Sequence, residues 1–249
     1  MLRLLTESFP DDAALDTAVS RALMLRVAAG ELPETLRIWR PASIVAFGRR
    51  DAVSPGYPAA VRAARTRGFE AIERLAGGRA AVFHEHTIAF AHAVPDPDPR
   101  SRVDERFEAT AELMATAFSR LGVDARVGEV PGEYCPGAHS VNAGGARKLM
   151  GVGQRLVAGG VHVGGVVVVG GADRVREVLV PVYEALELEW RPATTGSVVE
   201  EAPGTTWEGV SDVIEAEYAR RHGLEPARLD GGTLALARTL APEHLSPAA

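Results

Sequence analysis

Between Arg155 and Asp173 the chain carries no formal charge for seventeen residues, and six of those residues are glycine. The run is shorter than the ~20 apolar residues that a membrane helix needs. Its centre, VHVGGVVVV (161–169), reads instead as a buried strand. RKLMGVGQRLV (147–157) is a second strand candidate just before it, and Gly144-Gly145 supplies the hairpin turn ahead of Arg147. Further strands are read at 36–40 and 43–47, parted by a turn at Pro41, and at 69–75, where apolar and polar residues alternate as in a half-buried strand. Residues 76–80 (AGGRA) break that strand; AVFH (81–84), TIAFAHAV (87–94), VDARV (123–127) and HSVNA (139–143) are strand-like. Helical stripes run from Ala14 toward Gly30, over 58–67, and from Val103 to Leu121, with two more around 172–187 and 206–221. Strands thus come in hairpin-like runs interrupted by helices, which predicts an α/β (α+β) fold with a mixed, largely antiparallel sheet flanked by helices. No strand–GxGxxG–helix unit opens the chain, so a nucleotide fold of Rossmann type is not expected.

The composition, 46% apolar and 24% charged, allows a sizeable core, and no linker, repeat or charge block marks a place to cut. One domain over 1–249 is the expectation, with residues 221–249 as a helical tail. A formal charge of −6 argues against nucleic acid as the main partner. The single cysteine cannot form an internal disulfide, and the first residues lack the apolar core and cleavage site of a signal peptide. A cytoplasmic monomer without membrane segments is expected.

Chemistry concentrates in GEYCPGAHSVNAGGARKLMGVGQR (132–155), which holds the one cysteine, Cys135, and the one lysine, Lys148, of a chain with 26 arginines. Prolines and glycines around Cys135 place it in a turn, where a nucleophile can be presented to substrate; the competing reading is a small inert side chain tucked under the loop. A nearby cation favours the thiolate. Lysine differs from arginine in offering a point charge and a removable proton, so its retention at 148 suggests a special role. His139, four residues beyond Cys135, is an alternative base. His84-Glu85-His86 invites a metal reading, since alternate residues on a strand share a face, yet two histidines, even with His92, make a poor zinc set; no metal site is expected. Gly77-Gly78 beside Arg74 and Arg79 suggests close backbone approach to a carbonyl or anion, or a plain tight turn.

Taken together, residues 1 to about 220 resemble the lipoate–protein ligase A and octanoyltransferase family, whose catalytic domain is of the class II biotin/lipoate ligase type. LRIWRP followed by Phe47-Gly48-Arg49 resembles its opening strands, ERLAGGRAAVFHEHTIAFAHAV its acyl-pocket segment, RKLMGVGQRLV its lysine segment, and TTGSVVE a later loop near the site. The resemblance places Arg74, Gly77, Gly78 and His84 in the acyl pocket and sets Lys148, Gly151 and Gln154 toward the reacting carbonyl. The strands at 69–75, 81–84 and 161–169 would wall an acyl tunnel. Glu73 stands where an arginine is usual, Arg79 where a third glycine is usual and Glu85 where aspartate is usual, which removes positive charge and backbone freedom where a phosphate would approach. GEYCPG resembles the cysteine loop of the octanoyl amidotransferase branch. The resemblance therefore implies an acyltransferase of protein lipoylation, moving an octanoyl or lipoyl group through a Cys135 thioester, with Lys148 as its electrostatic and proton-transfer partner, and without a cofactor. Its partners would be acyl carrier protein, the glycine cleavage H protein and lipoyl domains of 2-oxoacid dehydrogenases. The rivals are a ligase that uses ATP and magnesium with Lys148 and no covalent intermediate, and a non-catalytic acyl- or carrier-binding relative.

Overall fold

The computed structural model describes residues 1–247. Its strands are β1 (Leu2–Leu5), β2 (Thr35–Trp39), β3 (Ile44–Phe47), β4 (Glu70–Glu73), β5 (Ala81–Phe83), β6 (Thr87–Pro95), β7 (Ala125–Val127), β8 (Val141–Ala143), β9 (Arg147–Val157), β10 (Gly160–Val168) and β11 (Leu224–Pro226). Its helices are α1 (Ala13–Ala28), α2 (Arg49–Ala52), α3 (Tyr57–Thr66), α4 (Val103–Ser119), α5 (Ala172–Ala185), α6 (Val198–Glu201), α7 (Trp207–His222) and α8 (Gly231–Leu240). An eight-stranded sheet runs β11-β1-β2-β6-β10-β9-β8-β7, parallel only at β11/β1 and β1/β2. A separate sheet of three strands runs β4-β3-β5.

The mixed, mostly antiparallel architecture is the expected one, but it is divided between two sheets. β2 and β3 do not pair across Pro41; β2 pairs with β6 and β3 with β4 and β5. The alternation in 69–75 also misleads. Ala71 and Ile72 of β4 are both buried, because the small sheet is covered on both faces, by α3 and α5 on one side and by the start of α1 on the other. β1 is an addition to the expected strands. The expected helical tail from 221 contains β11, which adds to the edge of β1, and α8, which packs on α1. Residues 248–249 of that tail lie outside the described residues.

Pleating sorts the large sheet. Ile88 and Phe90 of β6 point toward α4 and α7, where they meet Met114, Phe118 and Ile214, while Ala93 points to the opposite face and meets α1. A buried ion pair ties α1 to β2: Arg37 pairs with Asp16, whose second oxygen accepts from the Trp39 indole at 2.6 Å. β9 and β10 form the long central hairpin, so residues near their middle look toward the small sheet, and the cleft between the sheets is where functional groups converge.

Phe118 is fully buried between α4 and the large sheet. Phe118→Ala should cost about 3–5 kcal/mol, read as a lower urea midpoint at unchanged slope. A loss below about 1 kcal/mol would contradict this packing.

Candidate active site

Lys148 sits near the start of β9, placed there by the Gly144-Gly145 turn, where both residues have left-handed φ (60° and 76°). Its side chain is buried at 1% exposure. It lies over Gly151, where a Cβ would come within 3.3 Å of Lys148 Cε. Nζ donates to Glu133 Oε1 (2.9 Å), to the Tyr134 carbonyl (3.0 Å) and to the Cys135 carbonyl (2.8 Å). All three protons of an ammonium are thereby used.

Glu133 is the buried counter-charge, a site residue that motif reading misses. Besides Lys148 it accepts from Val130 N (3.0 Å), Gly137 N (3.2 Å) and Ser140 Oγ (2.6 Å), so one carboxylate organises the loop from 130 to 140. Only the burial of Lys148, seen in the structure, points to it, because a buried charge requires a carboxylate nearby.

Within that loop Cys135 adopts φ 42°, a left-handed conformation that costs a non-glycine residue about 1–2 kcal/mol. Its amide donates to the Tyr183 hydroxyl (2.8 Å), its carbonyl accepts from Lys148, and its Sγ accepts from Arg74 Nη2 and from the Arg79 amide, each at 3.2 Å. Gly78 makes room for this arrangement: it has φ 102°, and a Cβ there would stand 2.8 Å from Sγ. Burial pushes the Cys135 thiol up, but the Arg74 charge, the Lys148 charge and the hydrogen bonds from Arg74 and the Arg79 amide outweigh it, leaving the thiol below its ordinary range. Cys135 and Lys148 are therefore brought together as expected, with one correction. The cation touching the thiol is Arg74, while Lys148 acts through the backbone and at longer range.

A cavity of about 340 Å³ opens at Sγ and is bordered by Arg74, Gly77, Gly78, Lys148, Gly151 and Gln154. His84 is not among its walls. It is fully buried beneath Gly171, its Nδ1 accepts from the His86 amide (3.2 Å), and burial lowers its pKa to about 4. The expected acyl-pocket role for His84 therefore fails, because the β5–β6 turn directs it toward the start of α5. Gln154 borders the cavity, yet its amide is spent on α4, accepting from Arg106 Nε (3.0 Å) and donating to the Val103 carbonyl (2.8 Å). Its expected orientation toward a reacting carbonyl is not what the structure shows. His139 lies at the rim, stacked on Phe107. Among the described residues no group of three or more His, Cys, Asp or Glu is arranged to hold a metal.

Of the three strands expected to wall an acyl tunnel, two do so: Ala81 and Phe83 of β5 and Gly164 to Val166 of β10 line the cavity. From 69–75 only Arg74 reaches it, because Ala71 and Ile72 are committed to the core. A smaller cavity of about 80 Å³, with Trp39, Ile44, Leu75 and Phe90 in its walls, shares Arg74, Phe83, Gly164 and Gly165 with the first. Leu75, of the 69–75 segment, thus lines this neighbouring space rather than the cavity at the thiol.

Residues 12–187 match the model of the lipoyl protein ligase A/B catalytic domain. An octanoyl-[GcvH]:protein N-octanoyltransferase from Geobacillus kaustophilus is 30% identical over 169 residues, covering 68% of this chain and 59% of the relative. Octanoyltransferase LipM from Kyrpidia tusciae is 30% identical over 118 residues, 45% of this chain and 41% of the relative. The matches thus span less than two thirds of the length of these curated relatives. Among solved structures, lipoate-protein ligase A bound with ATP superposes with TM-score 0.79 at 18% identity, covering 97% of this chain and 94% of that one. The bi-partite lipoate protein ligase from Thermoplasma acidophilum gives 0.74 at 17% identity, with 97% and 92% covered. These structural likenesses establish the fold.

Two substitutions test the electrostatics of the site. Arg74→Gln removes the cation on Sγ, so alkylation of Cys135 by iodoacetamide should slow several-fold at pH 7 and recover as pH rises; an unchanged pH profile would refute the assignment. Glu133→Gln strands the buried Lys148 charge and should cost about 3–5 kcal/mol in urea denaturation.

Proposed function

The chain belongs to the family of the lipoyl protein ligase A/B catalytic domain, and we propose that it is an acyltransferase of protein lipoylation, passing an octanoyl or lipoyl group through a thioester on Cys135 to the amine of a carrier lysine. The observation that carries this reading is the placement of Sγ: Cys135 lines the cavity that Ala81, Phe83 and Val166 also wall, with Sγ 3.2 Å from both the Arg74 guanidinium and a backbone N–H and the backbone carbonyl of the same residue fixed by Lys148. Such an environment favours a thiolate at neutral pH.

In the first half-reaction the Cys135 thiolate attacks the acyl carbonyl of the donor. A carbon–sulfur bond forms and the carbonyl electrons move onto oxygen; when they return, the donor's thiol or amine leaves and takes up a proton. The Arg79 amide and Arg74, which hold the thiolate before attack, are the nearest donors for the oxyanion. In the second half-reaction the carrier lysine amine attacks the thioester, an amide forms, one proton passes to solvent, and the Cys135 thiolate is regenerated. Lys148 supplies positive charge and loop geometry throughout. The three acceptors around Nζ favour this role over the shuttling of a proton.

The relatives' names point to the carrier GcvH as the protein partner, and lipoyl domains are the further acceptor class. No nucleotide enters the proposal. The Arg79 guanidinium turns away to Asp51 (3.2 Å), and Glu73 accepts from the Tyr57 hydroxyl (3.2 Å), so these two departures from the family pattern present no additional cation to a phosphate in the cavity.

Incubated with octanoyl carrier protein and without ATP, the protein should gain one octanoyl group on Cys135 in intact-mass spectra, and hydroxylamine should remove it. Cys135→Ala should abolish the adduct and the transfer to a lipoyl domain. Full ATP-dependent lipoylation by Cys135→Ala would overturn the thioester and establish the ligase reading.

A further inference from the structure

Tyr183 lies near the end of α5, 48 positions from Cys135, and its hydroxyl accepts the Cys135 amide at 2.8 Å while donating to the Ala80 carbonyl at 3.0 Å. One oxygen thereby bridges the cysteine loop and the turn before β5, whose Arg79 amide and Gly78 form the seat for Sγ. We infer that Tyr183 is a positioning residue for the nucleophile, its hydroxyl holding the left-handed backbone at Cys135 so that Sγ stays on Arg74 and the Arg79 amide.

Three features carry the inference. Cys135 is one of only two non-glycine residues with positive φ among the described residues, and such a conformation persists only where its surroundings over-determine it. The peptide before Cys135 is held at both ends, its Tyr134 carbonyl by Lys148 and its Cys135 amide by Tyr183, and the Cys135 carbonyl is held by Lys148 as well; without Tyr183 both remaining ties run to one ammonium and the amide end is released. The hydroxyl is also well suited to bridge. Tyr183 is buried at 2% exposure, with its ring tilted against Trp190 at 5.4 Å between centroids, so the hydroxyl cannot swing away. Burial and then the Cys135 charge push the phenol well above its ordinary pKa, keeping it a neutral group that can donate and accept at once.

The inference rests on Cys135 being the reactive group, and its test does not require any acyl donor. In Tyr183→Phe the ring remains and only the hydroxyl is lost. Sγ should then spend less time on its two donors, the thiol pKa should rise, and iodoacetamide alkylation of Cys135 at pH 7 should slow about five-fold, the factor corresponding to one hydrogen bond. The rates should converge with wild type at alkaline pH, where both thiols are ionised. Tyr218→Phe, which removes another buried hydroxyl from the distant α7 core, serves as the control and should leave the profile unchanged. A Tyr183→Phe profile that superimposes on wild type, measured on folded protein well below its thermal transition, overturns the inference. So does a shift of the same size in Tyr218→Phe. If wild type alkylates readily but takes no acyl group from any donor, the acyltransferase reading falls while the positioning role is still decided by the pH profile.

Discussion

Glu133 and Lys148 place two opposite charges where almost no water reaches, at 0% and 1% side-chain exposure. Each ion costs several kcal/mol to desolvate, and the attraction between them repays this only where the remaining donors and acceptors are also satisfied. Here they are: Glu133 takes two backbone amides and a serine hydroxyl as well as the ammonium, and the ammonium spends its other two protons on carbonyls. Every one of those bonds except the salt bridge falls on residues 130 to 140. A flexible, glycine- and proline-rich segment is thus held in one conformation. The strained backbone at Cys135 is one consequence, because the pair that orders the loop also fixes the Cys135 carbonyl.

The strands that define the large sheet are legible in the sequence because their side-chain pattern is local. β6 and β10 are long and apolar, β9 is long and follows the Gly144-Gly145 turn, and pattern alone places each within a residue or two of its observed limits. What is not legible depends on pairing at a distance. Nothing local distinguishes a turn at Pro41 that folds β3 back on β2 from one that carries it into a second sheet. The buried run Ala71-Ile72 likewise makes sense only once helices cover both faces of the small sheet. β1 escapes notice because four residues give too little pattern.

At the site, Cys135, Lys148, Arg74, Gly77 and Gly78 can be picked out from residue type and neighbourhood, and the cavity gathers them. Glu133 and Tyr183 cannot, because a glutamate in a loop and a tyrosine in a helix are ordinary until the fold aims them. His84 and Gln154 show the reverse. Motif position brings them close, but the turn after β5 and the docking of α4 give their polar atoms other partners. Proximity along a motif predicts neighbourhood better than it predicts where a side chain points.

The two cations of the site differ in kind, Lys148 being the one lysine of a chain with 26 arginines. A guanidinium suits the position beside the thiol because it keeps its charge at any pH in use, and Arg74 reaches both the sulfur and the Arg79 carbonyl (2.7 Å) with the same nitrogen. At the loop anchor the acceptors are a carboxylate oxygen and two successive carbonyls, all within 3.0 Å of one atom. A tetrahedral ammonium can direct three protons from a point, whereas a planar fork spreads its donors over several atoms. The charge felt by the Cys135 sulfur comes first from Arg74 and then from Lys148, which also holds the Cys135 carbonyl.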